Sequence, residues 1–113
     1  MLIIDDQMNI SMTRGDTPTI KIELTDASGG HYDCSADQSL KFSVKEDYAD
    51  TAIIEIPITL QSYPEFTIGQ SYTWNKDPGD YYYDIELITA GGIVDTFIAN
   101  KRFTILPEAH DIF

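Results

Sequence analysis

Two histidines, His31 and His110, one cysteine, Cys34, and nineteen carboxylates are the groups with which this chain could do chemistry. Nucleophilic catalysis needs a base beside a nucleophile. His31 follows the turn Ser28-Gly29-Gly30, His110 sits in the tail, and no serine stands in a G-x-S-x-G setting. Cys34 lies in Tyr32-Asp33-Cys34-Ser35, with no cationic neighbour to draw out a thiolate. It reads as a small apolar side chain, and a lone cysteine permits no intrachain disulfide, which fits a reducing compartment. Zinc needs several Cys or His ligands at set spacing, and this chain lacks them. Calcium needs only oxygens. Asp77, Asp80 and Asp84, the pair Asp5-Asp6, and Asp47 with Asp50 are acidic groupings of that kind, but no EF-hand loop is present. Solvated loop carboxylates are the simpler reading. A glycosidase pair would need a cleft, and nothing singles out two of the nineteen acids. No catalytic, metal or cofactor-binding residue is therefore assigned, and the chain reads as a non-enzyme.

Two motifs point to contact rather than catalysis. Arg14-Gly15-Asp16 spells an integrin-read tripeptide, but Gly and Asp are also what a turn before a strand uses. Aromatics are the stronger signal. Tyr48, Tyr63, Tyr72, Trp74, Tyr82 and Phe113 fall at loops or outward positions. Exposed aromatics are enriched in protein contacts and in sugar-binding faces. Tyr72, Trp74, Tyr82, Ile112 and Phe113 are the candidate interface. Trp74, Tyr72 and Tyr82, if coplanar, would instead make a small carbohydrate-binding module.

The elements that must position these residues are strands. In Thr19-Ile20-Lys21-Ile22-Glu23-Leu24-Thr25 every second residue is apolar, which predicts one buried and one wet face. Ser39-Leu40-Lys41-Phe42-Ser43-Val44-Lys45 repeats the design. Tyr81, Tyr83, Ile85 and Leu87 make another such face, with Tyr82, Asp84 and Glu86 pointing the other way. Met8, Ile10 and Met12 alternate more weakly, and Phe66 with Ile68 marks a short strand. Ile54, Ile56 and Ile58 surround Pro57, which predicts an edge strand. Phe97, Ala99, Phe103 and Ile105 predict one face of a long last strand, with a bulge near Asn100-Lys101. Gly-rich turns separate the runs, and Ala90-Gly91-Gly92 predicts a hairpin. Helix is expected only as a turn within residues 45–52 or 77–79. Seven or eight short strands in 113 residues predict a single all-β domain, an antiparallel β-sandwich with its core at about residues 8–107.

Composition restricts the partners. Seven basic against nineteen acidic residues give a net charge of −12. Phosphate binding needs a cationic footprint, so nucleic acid is excluded, and anionic membranes are disfavoured for the same reason. The charge keeps exposed β-surfaces apart in solution, or else it addresses a basic partner or a cation. The opening Met1-Leu2-Ile3-Ile4-Asp5-Asp6 lacks the cationic region and long apolar run of a secretory signal. No stretch approaches the length of a transmembrane helix.

Asp77-Pro78-Gly79-Asp80-Tyr81 reads as D-x-G-x-Y, the tyrosine-corner signature of immunoglobulin-like sandwiches. Asp77, Gly79 and Tyr81 would form that corner, with the Tyr81 hydroxyl bonded back to nearby backbone. Tyr83 occupies the position where antibody domains carry a cysteine.

A wider likeness runs through the chain. Met12-Thr13-Arg14-Gly15-Asp16-Thr17-Pro18-Thr19-Ile20 opens a strand, and Leu24-Thr25-Asp26 and Tyr32-Asp33-Cys34-Ser35 follow. Then come Leu40-Lys41-Phe42-Ser43-Val44-Lys45, Gly79-Asp80-Tyr81-Tyr82-Tyr83-Asp84-Ile85 and Lys101-Arg102-Phe103-Thr104-Ile105-Leu106-Pro107. Over about residues 8–107 this order resembles small immunoglobulin-like domains of phages and prophages of Gram-positive bacteria, above all the N-terminal domain of upper baseplate (tail) proteins. The resemblance implies a virion structural protein that docks onto baseplate, tail or neck subunits, with no catalytic residues. It implies synthesis in the bacterial cytoplasm, then a place in the virion, where symmetry allows a homo-oligomer. Residues 1–6 and 109–113 are the expected contact elements.

Overall fold

Alternation builds the strands, and the computed structural model shows which way each face turns. It describes residues 2–4, 7–25, 28–34, 36–47, 51–61 and 63–107. Among these the order is β1 (Leu2–Ile4), β2 (Ile10–Thr13), β3 (Thr19–Lys21), β4 (Ser39–Lys45), β5 (Ile54–Ile58), β6 (Glu65–Thr67), α1 (Gln70–Thr73), β7 (Gly79–Ile88) and β8 (Val94–Leu106). Eight strands and one short helix make the chain all-β, as its periodicity predicts.

Six strands form one mixed sheet in the order β1-β2-β8-β7-β4-β5, and β3 and β6 form a second sheet. In the large sheet Leu40, Phe42 and Val44 of β4 stand opposite Leu87, Ile85 and Tyr83 of β7 and are buried with them. Ile20 of β3 and Phe66 of β6 belong to the same apolar core. The Phe42 ring lies 4.7 Å from Phe66, 5.4 Å from Tyr83 and 5.9 Å from Phe103. Aromatic pairs at such distances contribute about 0.5–1.5 kcal/mol each beyond the area they bury.

The structure corrects the expectation of a wholly antiparallel fold. β2 runs parallel to β8, with Ile10 opposite Phe103 and Thr13 opposite Leu106. Alternation sets which face is buried, but it carries no information on the direction of a neighbour. Parallel pairing needs a long connection, and nearly the whole chain separates β2 from β8. The helix is also elsewhere than expected. α1 falls at Gln70–Thr73, while Gly79 opens β7. A single helical turn has no periodicity to read, and tertiary contact holds it.

Two further departures concern β8 and β3. Phe103 and Ile105 are buried, but Phe97 is half-buried and Ala99 is exposed. Register shifts against β7, between Tyr83 and Ile85 and between Ile85 and Glu86, break the face that these four residues were expected to share. In the first sheet-crossing run only residues 19–21 are strand, although Ile22 continues the ladder by donating its N–H to the Pro64 carbonyl (2.8 Å). Pro57 sits on β5, the outermost strand beside β4, where a missing N–H costs no ladder bond. Behind β4 and β7, the expected outward residues Ser43 and Asp84 are buried, and Asp84 pairs with Lys45 at 3.1 Å.

Candidate interaction surface

The turn Arg14-Gly15-Asp16 is clasped from within. The Gly15 N–H donates to the hydroxyl of the buried Thr73 on α1 (2.9 Å), and an Arg14 guanidinium N–H donates to the Lys76 carbonyl (3.3 Å). The Asp16 N–H closes the turn on the Thr13 carbonyl (3.1 Å). Gly15 has φ +83°, and a Cβ there would lie 2.7 Å from Cε3 of Trp74. The Trp74 ring therefore covers the turn on one side and leaves 52% of the residue exposed. This geometry makes the tripeptide an internal joint.

Beside this turn, one residue beyond Lys76, the Tyr81 hydroxyl donates to the Asp77 carbonyl (2.6 Å), across the turn that carries Gly79 at φ +153°. Burial pushes the Tyr81 phenol above its ordinary pKa, and the charges of Asp77 and Glu46 push the same way. The candidate aromatics do not form one face. Tyr72 packs inward against the core, Trp74 lies over Gly15, and Tyr82 stands half-buried on the outer side of β7 between Lys45 and Arg102. Ile112 and Phe113 lie outside the described residues, as do Tyr48, Asp5, Asp6, Asp50 and His110.

The polar groups do not converge. His31 contacts Asp33 at 2.9 Å and Glu23 at 3.8 Å, and its ring lies 4.9 Å from Tyr63. Asp80 accepts a bond from the Thr104 hydroxyl (2.7 Å), and Asp84 is held by Lys45. Those aspartates are thus committed to separate partners. Among the described residues no group of three or more His, Cys, Asp or Glu side chains could hold a metal ion. Cys34 is half-buried, and burial, with Asp33 beside it, raises its pKa, so its thiolate is scarcer than in a free cysteine.

The feature that sequence reasoning missed is a groove. It is about 420 Å³ in volume and runs along β3, where residues 20–25 line it without a break. Residues of both faces of a strand line one groove when the groove follows the strand's edge. Its other wall is apolar: Ile4, Ile10, Phe97 and Ile98 come from the large sheet and Met8 from the loop between β1 and β2. The six-stranded sheet is wider than the two-stranded one, so among the described residues part of its core face has no strand over it. Ile4 and Met8 remain 43% and 42% exposed at the groove. The Tyr83 hydroxyl, reaching from β7, donates to the Met8 carbonyl (2.5 Å) and fixes the loop that carries it at φ +70°. A sequence signal existed in the unbroken Leu2-Ile3-Ile4 and Phe97-Ile98 pairs, which supply more apolar surface than alternation requires.

No protein-family model matches this chain, and no curated protein matches it significantly. No helix among the described residues is long and apolar enough to cross a membrane.

Proposed function

We propose that this protein is a non-enzymatic structural subunit of a phage or prophage particle. Its fold would be an immunoglobulin-like β-sandwich that docks onto other virion proteins of the baseplate, tail or neck. The partition of strands supports the fold: β3 and β6 lie in one sheet, and β8, β7, β4 and β5 follow one another in the other. That is how such sandwiches divide their strands. The bond from the Tyr81 hydroxyl to the Asp77 carbonyl has the form of a tyrosine corner.

The observation that carries the assembly reading is apolar exposure without convergent chemistry. Ile3, Ile4, Met8, Ile93 and Val94 are all exposed, and the described acids, His31 and Cys34 are scattered. A contiguous apolar patch, such as Ile4 and Met8 make at the groove, marks a surface that another protein covers. The resemblance to phage immunoglobulin-like domains supplies the kind of assembly.

Particles released from a host that carries the gene test the proposal. After purification by sedimentation, an antibody against this chain should label them at one fixed location. Chain found wholly in the soluble fraction, with unlabelled particles, overturns the reading.

A further inference from the structure

We infer that the groove beside β3 is a receptor for an extended segment of a basic partner protein, which enters as a third strand of the small sheet. The inference rests on the assembly reading above and names the site and the chemistry of the contact.

Backbone direction is the first argument. The Ile22 N–H donates to Pro64, and the Pro18 carbonyl accepts from the Ile68 N–H, so even-numbered residues of this segment face β6. Successive residues of an extended chain point their backbone groups in opposite directions. The N–H and C=O groups of Lys21 and Glu23 therefore point away from β6, into the groove. Among the described residues no strand pairs with that edge. An open strand edge recognises another backbone in extended form, and the pockets beside it choose alternate side chains.

The wall opposite is the second argument. A strand laid along β3 would send every second side chain onto Ile4, Met8, Phe97 and Ile98, and the rest to solvent. The bound segment is thus one with alternating apolar residues.

Charge chooses the occupant. A second copy of this chain would bring another net charge of −12 against the first. A segment whose solvent-facing residues are lysine or arginine is attracted instead, and its association weakens with salt.

Two synthetic peptides test this on the whole chain, one alternating valine with lysine and one alternating valine with glutamate. Binding is followed by fluorescence anisotropy and amide hydrogen exchange. The valine–lysine peptide should bind, more weakly at high salt, and should slow exchange of the Lys21 and Glu23 amides. Glu23→Pro removes one outward donor while leaving the Ile22 bond to Pro64 intact. Ile4→Lys places a charge on the apolar wall. Each should weaken binding at least tenfold, whereas Ile93→Lys, outside the groove, should leave it within about twofold. Exchange in the unaltered chain gives an answer even if a variant fails to fold. The proposal is overturned by no binding, by binding that both groove variants leave unchanged, or by equal binding of the valine–glutamate peptide. Dimerisation of the chain that Glu23→Pro abolishes also overturns it, because the occupant is then a second copy. A groove that binds neither peptide, in a chain that still labels particles, overturns this proposal alone and leaves the assembly reading standing.

Discussion

Phe103 and Phe97 lie on the same strand, six positions apart, in opposite circumstances. Phe103 has β7 on one side and β2 on the other, and none of its surface reaches solvent. Phe97 has, among the described strands, β7 alone beside it, faces the groove, and finds a ring partner in Tyr32 at 5.9 Å. The C-terminal half of β8 is a closed interior, further fastened where the Leu106 carbonyl accepts the Arg14 N–H (2.9 Å). The N-terminal half, residues 94–101, has no described strand on its second side. The bulges at the middle of β8 separate the two regimes. The lesson is that one strand can serve stability at one end and leave apolar surface available at the other.

The two phenylalanines should separate the halves of β8 most widely. Phe103→Ala should cost about 3–5 kcal/mol, as deletion of a fully buried ring does. Phe97→Ala should cost roughly half of that or less, because a half-buried ring forfeits less transfer free energy and leaves no closed cavity. Urea denaturation of both variants checks this, and equal costs would erase the distinction between the halves. Next in size is Gly15→Ala at the closed end. The left-handed backbone there costs a residue with a Cβ about 1–2 kcal/mol, and Trp74 must also move aside. Denaturation should show the loss together with a changed tryptophan emission.

Tyr81→Phe sharpens the picture at the same end. It removes one hydrogen bond, a loss of about 1 kcal/mol in thermal or chemical unfolding. It should also alter the alkaline limb of stability. The folded chain holds the Tyr81 proton to higher pH than the unfolded chain does. The phenol's contribution is therefore fully present below its ordinary pKa of about 10 and is lost as pH rises through the raised folded value. With phenylalanine in place, that part of the fall disappears. The smallest effect is expected in the open region. Ile93→Lys, at a residue 69% exposed, should change stability by no more than about 0.5 kcal/mol. A larger loss would mean that this hairpin tip is already packed.

Much of the closed half was legible in the residue pattern, because there the period of the sequence and the period of burial agree. β4 and the first part of β7 bury Leu40, Phe42, Val44 and Tyr81, Tyr83, Ile85 as the alternation predicts, although Ser43 and Asp84 between them are buried too. The rest was hidden for identifiable reasons. Leu2-Ile3-Ile4 has no alternation, so nothing marked it as the strand β1. The parallel pairing of β2 with β8 is a long-range choice between equally apolar neighbours. Asp84 alternates as a surface residue, yet it is buried because Lys45, opposite Tyr82 on the next strand, reaches it. The groove is a difference between the widths of two sheets, and width belongs to no single segment. The aromatics were a poorer guide than the aliphatics. Tyr72 turned inward, and the exposed apolar surface at the groove comes from Ile4 and Met8.

The chain has a single tryptophan, and it rests on the backbone of Gly15. Its fluorescence therefore watches one joint, where α1 closes over the turn after β2, while far-ultraviolet circular dichroism reports on the sheets as a whole. Unfolding followed by the two signals amounts to a built-in cooperativity gauge. Coincident curves mean that joint and sheets melt as one unit; an early tryptophan transition means that the joint opens while the rest stays folded.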